Sequence, residues 1–577
     1  VKEKKIVILG TNDIHGSVDQ LAWFGGIVRA TREGLKKQYG DHGGVLVLDG
    51  GDQFQGTLLS NFSEGRAVFD IMSEIGYDGV VPGNHDYDFG PKGWLEDKVG
   101  PDTSQNPREV IEMLAKRAAF PLLSANTYFK DSLKDLEGRP LKVEGIGCLP
   151  AHSPAPLIDW SQARSPDFLK PYILKEVAGV RVAVIGLDHT ATPVITTPEN
   201  VSDLCFADEI QAFNRVKTAL RGQADVFVVI IHQGDSPSAP SLTKILQAMN
   251  ALEVGGPDAV IAGHTHMLNR IEDQGVYAIQ SGANGERFGW LELTLDLKGK
   301  ILKTKTQAIE GISIDTSKCD ARSEKFCSLK EEQHPITHYL GERVNEDPEV
   351  ATLIREAHAE VAPISKRVLG ELKGRAWRHR INESPMANLL TDGLRDAAQV
   401  DVAFLNTGGI RNELPPGPLT YEAFYRVQPF NNRAVILEPL DLPTLKALLE
   451  NGLRRCGQSG GLMQSGLRIT FERDCKNRLK DGIDPQARLL SVSLADGTKI
   501  FDQALGGFLS GTENVKLRVA TLDFLAAGGS GFSQLKGLKV LQDLGIFREI
   551  VTEFYLKNPG RTFEAKLDSR FVNVLKD

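Results

Sequence analysis

Five short clusters carry the residue types that could hold metal ions: Asp13-Ile14-His15-Gly16, Gly51-Asp52-Gln53, Gly83-Asn84-His85-Asp86, His232-Gln233-Gly234 and Gly263-His264-Thr265-His266. All fall in the first half of a 577-residue chain, each directly after a short apolar run. Together they offer carboxylate, amide and imidazole donors from Asp13, His15, Asp52, Asn84, His232, His264 and His266. A divalent ion takes roughly four to six donors, so these side chains suffice for two ions if one group is shared and water or substrate completes the shells. A carboxylate can bridge through its two oxygens, which makes Asp52 the shared ligand. Asp13, His15 and His266 then fall to one ion, and Asn84, His232 and His264 to the other. The set has no cysteine, and its nitrogen and oxygen donors suit zinc, manganese, iron or cobalt, with zinc and manganese foremost. The chemistry expected is metal-assisted hydrolysis, in which an ion-activated water attacks in line as hydroxide while both ions hold phosphate oxygens. One histidine at a strand end is more often an ordinary surface or core residue. Five clusters with the same donor chemistry in the same position are not independent accidents.

The flanking runs say how such residues would be positioned. Lys5-Ile6-Val7-Ile8-Leu9-Gly10 leads into Asp13, Gly44-Val45-Leu46-Val47-Leu48 into Asp52, and Gly79-Val80-Val81 into Asn84. Val226-Phe227-Val228-Val229-Ile230-Ile231 leads into His232, and Ala259-Val260-Ile261-Ala262 into His264. Short β-branched runs without alternation read as strands buried on both faces. In sheets of this kind ligands collect where the carboxyl ends of the strands open into loops, so five ends can converge on one crevice. Glycine next to nearly every cluster permits tight turns and close approach to an ion.

The order of the clusters, and the forms Thr11-Asn12-Asp13-Ile14-His15-Gly16 and Gly83-Asn84-His85-Asp86-Tyr87-Asp88, resemble the 5′-nucleotidase branch of the calcineurin-like metallophosphoesterase superfamily. The resemblance implies an α/β protein with an amino-terminal four-layer α/β/β/α sandwich carrying the metals, a linker helix, and a carboxyl-terminal α/β substrate-binding domain. It also implies a catalytic role for His85 and Asp88. Asp88 lies three residues beyond His85, close enough to orient the imidazole, which could stabilise charge on the phosphoryl group and protonate the leaving oxygen. Asp86 reads as a solvated turn acid.

The second half carries a different chemistry. Asn406-Thr407-Gly408-Gly409-Ile410-Arg411 follows the strand-like run 400–405, so Arg411 would project from a glycine-rich turn with a guanidinium suited to phosphate. Arg380 precedes Asn382-Glu383-Ser384-Pro385-Met386-Ala387-Asn388-Leu389, which resembles the family's opening motif for this domain, although Arg375 and Arg378 lie nearby. Pro429-Phe430-Asn431-Asn432 and the stretch from Asp523-Phe524 to Gly531-Phe532 resemble the paired aromatic motifs between which the family stacks its base. On that resemblance Arg380, Asn406, Arg411, Phe430, Asn432 and Phe524 bind substrate, and the carboxyl-terminal domain delivers a nucleotide's phosphate to the metals. The family typically has Asp after the Gly-Gly of the last motif, accepting from ribose hydroxyls. This chain has Ser530, which loses the charge-assisted grip.

A helix is expected from Asp347, with Pro348 at its first position and Val350, Leu353, Ile354, Ala357 and Val361 at helical spacing. The expected organisation is a catalytic domain at 1–340, a linker helix at 341–365 and a substrate domain at 366–577. A net charge of −8 argues against a groove for polymeric nucleic acid, and no apolar run is long enough to span a membrane. Of the six cysteines, 319/327 and 456/475 are close in sequence, while Cys148 and Cys205 are either a third pair or two buried thiols. An even count with two local pairs favours an oxidising compartment, periplasmic or extracellular, with a signal peptide removed. The leading expectation is a secreted 5′-nucleotidase acting on a small nucleotide, extending to nucleotide sugars, di- and triphosphates or cyclic nucleotides. Its competitors are a hydrolase of a non-nucleotide phosphate or sulfur ester, to which Ser530 lends weight, and a non-catalytic surface protein that keeps the fold.

Overall fold

The computed structural model describes residues 2–93, 105–143, 146–150, 156–237, 239–318, 320–328, 336–456, 460–479, 482–512, 514–557 and 562–575. Two compact units make up the chain, and the change from one to the other falls between Glu360 and Val361. That point lies inside the helix Pro348–Ser365. Asp347 accepts from the N–H groups of Glu349 and Val350 at the start of this helix, and the buried Val350, Ile354, Ala357 and Val361 recur at its period.

Two sheets form the centre of the first unit. In one, the strands run in the order 307–313, 287–295, 4–11, 43–49, 79–80, 122–123 and 169–170. In the other the order is 268–273, 276–281, 259–262, 226–231, 180–187 and 172–177. The strands that precede the clusters are parallel, with Thr11 beside Asp49, Asp49 beside Val80, and Ile231 beside both Leu187 and Ala262. Their carboxyl ends are therefore level within each sheet.

Why the apolar runs do not alternate is visible in where they point. Val226, Val228 and Ile230 enter a core shared with Ile6, Ile8, Leu46 and Leu48 of the facing sheet. Phe227, Val229 and Ile231 pack outward on Ala212 and Phe213 of the helix Glu209–Ala219 and on Leu242, Leu246 and Met249 of the helix Ser241–Asn250. The helix Leu21–Tyr39 lies against the strand Gly43–Asp49 of the first sheet. Both faces of each sheet are thus covered, which makes the four layers α/β/β/α.

Near the strand ends the sheets approach until only glycine fits. A Cβ on Gly50 would meet the Ala262 carbonyl oxygen at 2.6 Å, and one on Gly263 would meet the Gly50 oxygen at 2.5 Å. These two positions let loops from opposite sheets touch, which gathers all five clusters.

In the second unit a five-stranded sheet is ordered 462–465, 402–406, 516–522, 433–441 and 540–546, with the helix Pro385–Ala398 against it. Ser384 caps that helix through the Ala387 N–H, and Pro385 occupies its first turn. Disulfides join Cys148 to Cys205 and Cys456 to Cys475. The open reading for Cys148 and Cys205 thus resolves as a pair, closed between segments 57 residues apart. Cys319 lies outside the described residues. No described helix is long and apolar enough to cross a membrane.

Candidate functional site

The strand-end clusters converge at the end of the two sheets. Asp13 Oδ1 lies 3.4 Å from His266 Nε2 and 4.0 Å from His15 Nε2, and the two imidazole nitrogens are 3.1 Å apart. Asp52 Oδ2 faces His15 Nε2 at 3.6 Å and His232 Nε2 at 3.2 Å, so one carboxylate oxygen looks toward both sides of the cluster. Asn84 Oδ1 lies 3.2 Å from His232 Nε2 and 3.1 Å from His264 Nδ1. All seven side chains expected as ligands therefore stand together. Asp13, His15 and His266 form one set of mutually close donors, and Asp13, Asp52 and His232 another.

Five of the seven donors are held by their far atoms. His15 Nδ1 is 2.8 Å from the Gln55 carbonyl and His232 Nδ1 is 2.8 Å from that of Gly50. A carbonyl only accepts, so these Nδ1 atoms carry hydrogen and turn the Nε2 lone pairs inward. Asp13 Oδ2 accepts from Asn12 Nδ2 and the His264 N–H, Asp52 Oδ1 accepts from the His85 N–H, and Asn84 Nδ2 donates to the Ile195 carbonyl. What remains facing inward is a ring of lone pairs. Such atoms repel at these distances unless a cation or a proton lies among them. Burial acts to raise the carboxyls of Asp13 and Asp52, yet His266 and His232 respectively hold them below the usual value. Burial alone would push the His232 imidazolium down, but Asp52 and Asp13 override it and raise it to about 10. The donor set fits two divalent cations.

The backbone is strained where it delivers these groups. Asp13, His15, Asp52, His264 and His266 have φ of 50°, 49°, 58°, 81° and 58°, in the left-handed region that costs such residues on the order of 1 kcal/mol or more each. His85, His264 and His266 keep partial exposure while Asp13, Asp52, Asn84 and His232 are buried, so the cluster opens on the side of the former three.

At that opening His85 Nδ1 is 2.6 Å from Asp88 Oδ2. Asp88 is itself held through Oδ1, which accepts from Thr196 Oγ1 and the Thr197 N–H. As an acceptor, Asp88 places hydrogen on His85 Nδ1 and leaves Nε2 as the ring's other nitrogen.

Asp86 does not lie in a solvated turn. It is fully buried, because the short 3₁₀ turn Asn84–Tyr87 swings its side chain inward under the Asp52 loop. There Oδ2 accepts from the N–H groups of Gly83 and Asp52 at 2.7 and 2.9 Å, and Oδ1 from those of Gln53 and Phe54 at 3.0 and 3.4 Å. One carboxylate thus ties the loop bearing Asp52 to the turn bearing Asn84.

Sequence reasoning also missed His189, whose ring packs 4.4 Å from that of His264. Burial and the charge of His232 push it down to about 3, so it stays neutral. The signal was present, since Asp188-His189 follows the apolar strand Val180–Leu187 just as the other clusters follow theirs.

In the second unit the four motifs also meet. Arg411 donates its N–H to the Val427 carbonyl, which sets the glycine-rich turn against the segment leading to Phe430, and its guanidinium lies 5.8 Å from the Phe430 ring centre. Burial, with Arg411 and Arg378 close by, pushes the Arg380 guanidinium down to about 10. Arg375 instead pairs with Glu413 on the surface, and Arg378 donates to the Ile410 carbonyl. Asn432 Nδ2 is 3.4 Å from Asp523 Oδ1, which also accepts the Phe524 N–H, so the two aromatic motifs are joined. Phe430 and Phe524 are both half-buried. Ser530, at φ 53°, accepts from Asn406 Nδ2 at 3.4 Å.

Residues 6–268 match the family described as calcineurin-like phosphoesterase, and residues 360–537 match the 5′-nucleotidase carboxyl-terminal domain. The chain is 24% identical to a snake venom 5′-nucleotidase from Naja atra over 98% of each chain. It is also 24% identical to protein UshA from Yersinia enterocolitica over 96% of this chain and 91% of that one. Among solved structures, a 5′-nucleotidase precursor from Thermus thermophilus shares the fold with a TM-score of 0.69 at 23% identity, over 99% of this chain and 100% of the other.

Proposed function

Because this chain belongs to the 5′-nucleotidase family of calcineurin-like phosphoesterases and is thereby a phosphoric ester hydrolase, we propose that it removes the phosphate from nucleoside 5′-monophosphates. Nucleotide sugars, di- and triphosphates and cyclic nucleotides are further substrates of the same chemistry. The observation that carries this reading is one chain's possession of two assemblies: inward-facing metal donors with an oriented imidazole, and clustered guanidiniums beside a half-buried aromatic ring.

Asp13, His15, Asp52, Asn84, His232, His264 and His266 would hold two divalent ions, zinc or manganese, with Asp52 shared. When bound, such ions supply Lewis acidity, making water nucleophilic near neutral pH and neutralising charge on phosphoryl oxygens. His85, fixed by Asp88, meets the phosphate through Nε2, where a proton stabilises the developing charge and passes to the leaving oxygen. No side-chain nucleophile is required, and water is the attacking group. Arg380 and Arg411 attract the anionic end of the substrate, while Phe430, Phe524, Asn406 and Asn432 bind the nucleoside. Two disulfides support a protein that works outside a reducing cytoplasm.

Ser530 favours a second reading. Its hydroxyl is already engaged by Asn406 and offers no carboxylate to a ribose, which suits a phosphate or sulfur ester lacking a nucleoside. Hydrolysis of AMP, UDP-glucose, cyclic AMP and p-nitrophenyl phosphate, measured with and without chelator and with zinc or manganese restored, separates the two. AMP turnover that the chelator abolishes and metal restores is expected. Turnover of the simple ester with no nucleotide hydrolysed would overturn the nucleotidase reading.

A further inference from the structure

Two imidazoles stand beside the donor rings without belonging to the donor set. His85 faces His15, with ring centres 5.7 Å apart, and His15 faces His266 at 5.0 Å. On the other side His232 faces His264 at 5.1 Å, and His189 closes this second row at 4.4 Å from His264. Each row of rings thus has one imidazole that is not a ligand. His85 has its role through Asp88, while His189 has none so far. Like His85 and His264 it is half-buried, so it stands on the side where the cluster opens.

The hydrogen bonds of His189 decide what it can do. Its Nδ1 lies 2.9 Å from the Ala191 backbone nitrogen, whose N–H only donates, so Nδ1 accepts and the ring hydrogen sits on Nε2. That spends the ring's lone pair on the backbone and rules His189 out as a third imidazole for the second ion. What is left is one N–H donor at the outer edge of the ring, without a hydrogen-bond partner among the described residues and open to solvent. Its backbone is pinned on both sides. Asn126 accepts the Asp188 N–H at 2.8 Å and donates to the Asp188 carbonyl at 2.9 Å. The His189 carbonyl accepts from Thr192 Oγ1 at 2.6 Å, and the Thr190 N–H donates to Glu209 at 3.2 Å. The same loop holds the Asn84 amide at the Ile195 carbonyl, and Asp88 at Thr196 and Thr197. His189 therefore belongs to a framework shared with a ligand and with the catalytic pair.

We propose that His189 is a further phosphate-binding residue, donating its Nε2–H to an oxygen of the phosphoryl group on the His264 side of the cluster, as His85 serves the His15 side. A phosphoryl oxygen is an anionic acceptor, so the bond is charge-assisted, and it persists in substrate and in released phosphate alike. A contact made both before and after transfer acts on affinity more than on rate. This inference rests on the cluster's being a phosphoester site and asks nothing of the nucleoside, so inorganic phosphate is a sufficient probe.

The test uses the full chain with zinc or manganese restored. Calorimetry gives the dissociation constant of inorganic phosphate, elemental analysis the metal content, and steady-state kinetics kcat and KM for p-nitrophenyl phosphate. His189→Phe keeps a ring against His264 and removes the N–H. His189→Gln places an amide nitrogen where Nε2 stood and restores a donor. Phosphate binding should weaken about tenfold in His189→Phe with metal content unchanged, and KM should rise by a similar factor while kcat changes less. His189→Gln should recover most of that affinity, which loss of packing alone would not allow. Equal phosphate affinity in wild type and His189→Phe would overturn the proposal. So would a loss of metal in His189→Phe, which would make His189 a support for His264 instead. A wild type that binds no phosphate with its metals restored is a separate outcome, and it removes the phosphoester reading of the cluster itself.

Discussion

Replacing Asp86 by Asn tests whether the metal donors are held in place by a residue that touches no metal. Asp86 accepts four backbone N–H groups, two on each oxygen, from Gly83, Asp52, Gln53 and Phe54. An asparagine keeps one accepting edge and presents an NH₂ group to the other pair of donors. Two hydrogen bonds are lost and two N–H groups are left buried, at about 1–3 kcal/mol each, so roughly 2–6 kcal/mol in total. Burial and the neighbouring Asp52 charge push the Asp86 carboxyl well up, so part of that cost is absent when no cation offsets Asp52. Cations at Asp52 remove the repulsion and favour ionised Asp86, and the full loss then falls on the metal-bound state. Metal affinity should drop about 10- to 100-fold, the range for residues that orient ligands. Calorimetric titration of manganese or zinc into chelator-treated protein measures this, alongside melting curves with and without metal. Asp88→Asn is the control, since its carboxylate contacts His85, Thr196 and Thr197 rather than the donors, and it should bind both ions normally. An Asp86→Asn protein with wild-type metal affinity and an unchanged metal-bound melting temperature would refute the reasoning.

His85→Ala should lower kcat by about 10²–10⁴ with metal content intact, and Asp88→Asn by less, since only orientation of the imidazole is lost; steady-state kinetics with elemental analysis check both. Arg411→Ala should raise KM for AMP more than it lowers kcat, and an unchanged KM would sink its assignment to substrate binding. Burial pushes the Asp49 carboxyl from 3.8 up to about 7. The folded state therefore holds a proton that the unfolded state has released, and metal-free stability should fall as pH rises through about 4 to 7. Asp49→Asn should lack that slope and gain on wild type across the window by on the order of 1–4 kcal/mol, read by denaturant melts at pH 4.5 and 7.5.

Much of the first unit was legible because its strands are buried on both faces. Val226 to Ile231 cannot alternate when even-numbered residues face the other sheet and odd-numbered ones face helices, so the run is apolar throughout and its end is sharp. The polar residues after each end then stand out. His189 follows the same rule and was passed over because its neighbours lack the glycine and paired-ligand form of the other clusters.

Asp86 shows where composition misleads. An acid between His85 and Tyr87 in a turn reads as solvated because an unpaired buried carboxylate is costly and therefore uncommon. Here the surrounding loop supplies the compensation, and it does so because it is not regular structure. Asp52 sits at φ 58° directly after Gly51 at φ 105°, so its N–H and those of Gln53 and Phe54 are turned toward one point instead of into a strand ladder. A regular strand or helix would spend these donors on its own backbone. The strain that aims the Asp52 side chain at the cluster also creates the gap that Asp86 fills, and Asp86 in turn holds the strained loop in place. Ligand and support are products of one backbone distortion, and no local pattern in the sequence reports a distortion that only the two together can sustain.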